Sequence, residues 1–395
     1  MKFLRLLAAG GLNWLLVFLP AAIVLEIAHA QHVEWATPVA IFVVSAVAII
    51  PLAGWMGRAT EHLAERLGEG AGGLLNATFG NAAELIIAVM ALLEARRSPE
   101  SVAAMHDLVK ASLTGSIIGN ILLVLGLALL LGGLRYRTQR FNPTATRVSA
   151  TLLMLAVAAL LIPALFAYLL PGEQDAVSDI SMEFSVLLLV VYALSLLFTL
   201  HTHRHLYAGQ PDAPPEPPEP RIGAARPRRA ELADPHGHAV WPVSRAFGVL
   251  VAATVGVAIV AEFMVGSVEE ASHTIGLTEL FVGVVVVAIV GNAAEHSTAV
   301  IVAVRNRMDL SVSIAIGSSI QIALFIAPLL VLLSTALGVP LDLVFTVPEI
   351  VAMGIAVVVM AQIAGDGESN WLEGVLLLVV YAMLGVLFFY LPVPA

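Results

Sequence analysis

The chain of 395 residues contains no cysteine. Structural disulfides, thiolate zinc sites, iron–sulfur clusters and cysteine nucleophiles are therefore excluded, and a bound metal must be held by oxygen or imidazole. Charge is also scarce: Asp, Glu, Lys and Arg make up 12% of the residues, about half their share in soluble domains. Lysine is nearly missing, with only Lys2 and Lys110. The formal net charge of −10 leaves no electrostatic footprint for nucleic acid. Hydrolase signatures are absent too, since there is no His-Glu-x-x-His, Gly-x-Ser-x-Gly or Gly-x-Gly-Asp, and the sole Gly-Asp is Gly365-Asp366. The sequence does not read as an enzyme, and no cofactor is expected.

What the chain does contain is apolar. Hydrophobic residues make up 59% of it, its mean hydropathy is +0.94, and apolar runs of roughly 20 residues, the length that crosses a bilayer, recur from end to end. The fold class expected is an all-α polytopic membrane protein in a lipid bilayer. The first run, Leu6 to Ala28, ends in Ala28-His29-Ala30, which resembles a signal-peptide cleavage site. It is longer than a signal core of about 7–15 residues and is read as an uncleaved first span. Further spans are expected at 36–57, 71–94, 111–133, 145–170, 183–203, 246–267, 277–304, 311–337, 343–364 and 371–391, about 11 in all.

Orientation follows from where the basic residues fall. With the N-terminus in the cytoplasm, every one of the 19 Lys and Arg residues except Arg96, Arg97 and Lys110 lies on the cytoplasmic side. The opposite side receives the acidic loop with Glu173, Asp175 and Asp179. The Arg-dominated basic composition suggests a bacterial genome and hence the bacterial inner membrane. A proline-rich stretch at 206–240, including Pro214-Pro215-Glu216-Pro217-Pro218, forbids a stable helix and reads as a cytoplasmic linker. It divides the chain into an N-terminal extra span (1–35), a first five-helix repeat (36–205) and a second (241–395). Five is odd, so the second repeat enters the membrane in the opposite sense to the first. Transporters with such inverted repeats bind substrate near the midplane, where helices are interrupted.

Two short motifs support the duplication. Gly80-Asn81-Ala82-Ala83-Glu84 returns as Gly291-Asn292-Ala293-Ala294-Glu295, and Gly115-Ser116-Ile117-Ile118-Gly119-Asn120 parallels Gly317-Ser318-Ser319-Ile320-Gln321. Each first motif buries a carboxylate in an apolar run, where ionisable groups are costly and usually face a partner or a pathway. On a helix, Asn81 with Glu84 and Asn292 with Glu295 share a face, with His296 beside the second acid. Carboxylate, amide and backbone oxygens are hard ligands suited to Ca²⁺. Two like charges brought together in hydrocarbon need neutralising, so the pair holds either one Ca²⁺ or up to two protons. Ser116, Asn120, Ser318 and Gln321 are expected to complete the shell or to act as polar glue between helices. Glu262 is expected either to relay protons or to sit on a cavity rim. His296 is expected to ligate, shuttle protons or fix Glu295, and Glu61, Glu269 and Glu270 to lie at solvated span ends. His201, His203, His205, His236 and His238 offer imidazoles near the linker, either as a weak transition-metal sensor or without a task.

At these residues the chain resembles the cation/proton exchanger branch of the calcium/cation antiporter superfamily. The stretch from Gly72 to Ile86 is similar to that branch's first signature, and Gly291 to His296 to its second. The resemblance implies 11 spans and exchange of Ca²⁺ for H⁺, with Glu84 and Glu295 as the exchanging carboxylates. Two departures stand out. The linker is proline-rich rather than an acidic helix, and Asn replaces the hydroxyl-rich Gly-Ser/Thr-Ser-x-Pro-Glu pattern of the sodium/calcium branch. A Na⁺-coupled or Mn²⁺-transporting exchanger, a cation channel and a homo-oligomeric assembly remain open at this stage.

Overall fold

The computed structural model describes residues 13–206 and 241–391. Most of the linker, with His236 and His238, lies outside the described residues, as do Lys2 and Arg5. The described chain is almost entirely helical, as hydrocarbon requires of a backbone that must satisfy its own hydrogen bonds. In order the helices are α1 (Asn13–Ala30), α2 (Pro38–Phe79), α3 (Ala82–Arg97), α4 (Pro99–Gly133), α5 (Pro143–Leu169), α6 (Gln174–Thr202), α7 (Val243–Ile275), α8 (Glu279–Gly291), α9 (Ala293–Val304), α10 (Met308–Leu337), α11 (Val347–Ile363) and α12 (Trp371–Tyr390). Among the described residues, 8 helices are long and apolar enough to cross a membrane, and α8 with α9, bent by 61°, makes a ninth candidate. Helix α11 is a shorter apolar helix.

Burial separates the helices into inner and outer sets. The most apolar stretch of α4 is 78% buried, against 17% for α6 and 22% for α5 and α12. Outward-facing Leu187, Val190 and Leu194 on α6, or Leu376, Met383 and Val386 on α12, are exposed, as suits lipid-facing surface. The helix ends obey local chemistry. Asn142 caps α5 by accepting from Thr144 N and Ala145 N, Thr346 and Glu349 form a capping box on α11, and Gly276 and Gly338 end α7 and α10 with φ of +76° and +79°.

The structure departs from the sequence reading at 58–70, where a loop was expected. Helical backbone continues from Pro38 to Phe79, because Glu61-His62-Leu63-Ala64-Glu65-Arg66-Leu67 consists mostly of strong helix formers. Glu61 is exposed on α2, less than two turns before the span ends at Leu67, and so lies near a span end as expected. The helix is not straight: a Cβ on Gly72 would lie 2.4 Å from the Ala64 carbonyl oxygen, whereas eight residues of straight helix rise about 12 Å. The chain therefore bends back sharply between them. Helix α7 likewise runs past the expected end at 267 to Ile275, so Glu269 and Glu270 lie on its exposed last turns.

Loops gather at two ends. At one, Gln139 Nε2 donates to the Ala303 carbonyl at 2.8 Å, Arg140 meets Glu368 at 3.1 Å, and Asn142 N donates to Asp309 at 2.5 Å. At the other, Arg97 meets Glu262 at 2.6 Å and Lys110 meets Asp342 at 2.5 Å. The loop with Arg135, Arg137 and Arg140 is thus in contact with the loop that carries Arg305 and Arg307. His203, beside the linker, stacks on Phe198 with ring centroids 4.1 Å apart.

Candidate functional site

Each Gly-Asn-Ala-Ala-Glu motif falls at a break in a helix, not inside one. Gly80 and Asn81 separate α2 from α3, and Asn292 separates α8 from α9 at the 61° bend. The i, i+3 spacing expected on one helix face therefore becomes a cap position followed by the third residue of a new helix: Asn81 and Glu84 on α3, Asn292 and Glu295 on α9. Neither asparagine caps its own helix. This forgoes about 1 kcal/mol of capping at each end, because both side-chain oxygens are used elsewhere.

They are used in a continuous chain of hydrogen bonds across the bundle. Asn81 Nδ2 donates to Gln321 Oε1 at 2.5 Å, and Asn81 Oδ1 accepts from Ser318 Oγ at 2.7 Å. Asn120 Nδ2 donates to Ser318 Oγ at 2.9 Å and to Asn292 Oδ1 at 3.3 Å. Asn292 Nδ2 donates in turn to Ser116 Oγ at 2.8 Å. All six polar residues expected at or beside the site are thus joined, two from each Gly-Ser block and one from each Asn motif.

The carboxylates sit on this chain. Glu295 lies close to the Ser318 hydroxyl, which itself donates to Asn81 Oδ1. Glu84 packs against the second motif, so that a Cβ on Gly291 would lie 3.3 Å from Glu84 Oε1. The two acids interact electrostatically, and Glu84 Oε1 and Glu295 Oε2 are buried with no hydrogen-bond donor among the described residues. Two carboxylates with amide and hydroxyl oxygens around them form the hard donor set that Ca²⁺ prefers. His296 Nε2 is also buried without a partner among the described residues.

Glycine lets these parts meet. A Cβ on Gly115 would be 2.0 Å from the Val284 carbonyl oxygen, and one on Gly283 would be 2.5 Å from Ala111 Cβ. The α4 and α8 backbones are therefore in contact just before Ser116 and about two helical turns before Asn292. Gly115→Ala is expected to force them apart, at an overpacking cost of about 1–3 kcal/mol. Ion flux should fall about tenfold or more while the folded protein survives in detergent, a combination that paired melting and tracer-flux measurements detect. Immediately beyond the Gly-Ser blocks, both α4 (Gly119–Val124) and α10 (Ile322–Ile326) contain a π-helical turn, a feature common at functional sites.

Glu262 lies elsewhere. It pairs with Arg97, has a side chain 45% exposed, and lines a separate cavity of about 320 Å³ with Glu26, Glu94 and Glu270. It is a rim residue and does not touch the polar chain. Sequence reading missed a buried group on the other side of the site: Glu349, 1% exposed, accepts from Thr114 Oγ1 at 3.1 Å and Thr346 Oγ1 at 2.7 Å. It braces α4 one residue before the Gly-Ser block. The signal was present in Thr346-Val347-Pro348-Glu349, a capping-box pattern.

Comparison with known proteins agrees with this architecture. The family model described as sodium/calcium exchanger protein matches residues 37–201 and 245–390. A Ca²⁺/H⁺ antiporter of Synechocystis is 44% identical over 377 residues, covering 95% of this chain and 98% of that protein. The Ca²⁺/H⁺ antiporter ChaA of Bacillus subtilis is 40% identical over 390 residues, covering 98% and 99%. The solved structure of native YfkE superposes with a TM-score of 0.75 at 37% identity, covering 95% of this chain and all of that one. This chain belongs to the sodium/calcium exchanger protein family.

Proposed function

We propose that this protein is a secondary antiporter that exchanges Ca²⁺ for H⁺, a transporter and not an enzyme. The observation that carries the reading is the hydrogen-bonded chain from Gln321 to Ser116, which joins the two helix breaks beside which Glu84 and Glu295 lie into one oxygen-rich cluster. The antiporter relatives support the same transported ions. In this reading Glu84 and Glu295 bind Ca²⁺ or protons alternately. Asn81 and Asn292 supply amide oxygens, and Ser116, Asn120, Ser318 and Gln321 hold the geometry. The C-terminal end of α8 lies at the break, as helix ends do in other transporters that bind cations at interrupted helices.

The same reading assigns 11 spans: α1, then α2 to α6 as one five-span repeat and α7 to α12 as another of opposite sense, with α8 and α9 crossing together. The turn near Gly72 makes α2 contribute both its first span and the start of the next. The domain limits remain 1–35, 36–205, 206–240 and 241–395. The arginine-rich end faces the cytoplasm, the N-terminus is inside, and the protein resides in a bacterial inner membrane, where an inward proton gradient expels Ca²⁺.

Coupling to Na⁺ is the alternative that a simple substitution separates. In everted vesicles, replacing Na⁺ by choline is expected to leave Ca²⁺ uptake unchanged, whereas collapsing the pH gradient should abolish it. Uptake that disappears with Na⁺ and persists without a pH gradient would overturn the assignment.

A further inference from the structure

We infer that a cleft between α5, α6 and α10 is a hydrated route that carries water and protons, but not Ca²⁺, between the arginine-rich end and the Gln321 side of the exchange site. This rests on the proposed reading of the polar chain as that site. The cleft has a volume of about 390 Å³, within the range of small-molecule pockets, and lies away from the cavity lined by Glu262. Three ladders of polar or small residues at helical spacing face it. Helix α10 contributes Ser313, Gly317 and Gln321, each four residues apart, and α6 contributes Tyr192, Ser195 and Thr199. The start of α5 adds Asn142, Thr146 and Ser149. Leu152, Leu196, Leu310, Ile316 and Ile320 line the rest of the cleft, so the polar groups form strips along it and not its whole wall.

Its two ends are defined. Asp309 and Asn142, hydrogen-bonded at 2.5 Å, stand at the mouth among the arginine-bearing loops. Twelve residues beyond Asp309 along α10, about 18 Å of helix rise, Gln321 closes the inner end and accepts from Asn81. A Cβ on Gly317 would meet no atom within 4 Å, so open space lies beside α10 one turn before Gln321.

The lining chemistry selects the passenger. Ser195, Thr199 and Thr146 donate their hydroxyl protons to carbonyls of their own helices, which leaves oxygen lone pairs for water. Asp309 is the sole carboxylate in the lining, whereas a dehydrating Ca²⁺ takes 6–8 oxygens and favours charged ligands. Water bonded in sequence to these groups can pass protons. A proton leaving a glutamic acid of the site emerges as hydronium at the Asp309 end, with the carboxylate left to bind Ca²⁺. Amides do not relay protons readily, so Gln321 must swing aside or be bypassed by water, which makes it the gate.

The absence of native cysteine makes the test direct. Ser149→Cys, Ser195→Cys and Ser313→Cys, each in the full chain in proteoliposomes, are treated with a charged, membrane-impermeant methanethiosulfonate at the arginine-rich face. Leu187→Cys on the outward face of α6 serves as the control. Thiolates form in water and not in hydrocarbon, so the three cleft cysteines should react about tenfold faster than the control. Modified Ser195→Cys should lose most Ca²⁺-driven proton flux while its equilibrium ⁴⁵Ca²⁺ binding stays within about twofold. Cleft cysteines that react no faster than Leu187→Cys would overturn the inference, and so would modification that leaves proton flux intact. Failure of the exchange-site reading would look different: labelling would persist, but Glu84→Gln would leave proton flux untouched.

Discussion

Glu84→Gln and Glu295→Gln are each expected to reduce proton-driven Ca²⁺ flux by about 100-fold or more, with little change in folding. Both side chains carry a buried oxygen with no donor among the described residues, so the isosteric amide removes charge and adds an N–H where a cation is to bind. A hundredfold loss corresponds to about 2.8 kcal/mol. One full charge a few ångströms from a divalent cation in a site of low polarity is worth more than that. The variants should melt close to the wild type, because neither carboxylate supports the packing of α4 against α8. Gly291→Ala tests the same pocket sterically. Its methyl would come 3.2 Å from Glu84 Cγ, and flux should fall without any change of charge. Measuring ⁴⁵Ca²⁺ uptake and thermal unfolding on the same preparations separates loss of ligand from loss of fold.

The second large effect is the pH dependence of Ca²⁺ binding. If each Ca²⁺ displaces a proton from Glu84 and another from Glu295, log Kd must fall as pH rises, with a slope approaching −2 where both acids are protonated. Raising the pH removes the competing protons and tightens binding. Lowering it by one unit where both acids are protonated weakens binding about 100-fold, and the dependence vanishes above the range in which the pair titrates. With one acid replaced, the slope should shrink to about −1, and the remaining affinity should be low. Isothermal titration in buffers of different ionisation enthalpy counts the released protons directly. A slope near zero in the wild type would mean that Ca²⁺ and protons bind at separate places.

Much of the bundle was legible in the sequence, because hydrocarbon sets the length of each apolar run and gathers arginines at one end. The contacts Gln139 to Ala303, Arg140 to Glu368 and Asn142 to Asp309 join loops that basic-residue counting put on the same side. The pairing of Asn motifs with Gly-Ser blocks was also legible, and all six of their polar residues meet in one chain. What apolar periodicity cannot report is where a helix breaks or which helix crosses it. Asn81 and Asn292 interrupt helices although Ala82, Ala83, Ala293 and Ala294 favour them, since their amides are committed to groups some 200 residues away in sequence. The role of Gly115 appears only once Val284 lies against it. Glu262 looked like an intramembrane acid because Arg97, its partner, is 165 residues distant.

The central claim is that one pair of glutamates binds Ca²⁺ and protons in turn. Its most direct test is purified protein in sealed proteoliposomes free of Na⁺, with an imposed pH gradient and no membrane potential, read by ⁴⁵Ca²⁺ uptake and an internal pH dye together. The account predicts Ca²⁺ accumulation matched by opposite proton movement, both lost in Glu84→Gln and in Glu295→Gln. Ca²⁺ movement without proton counterflow, or coupled flux that survives either substitution, would contradict it.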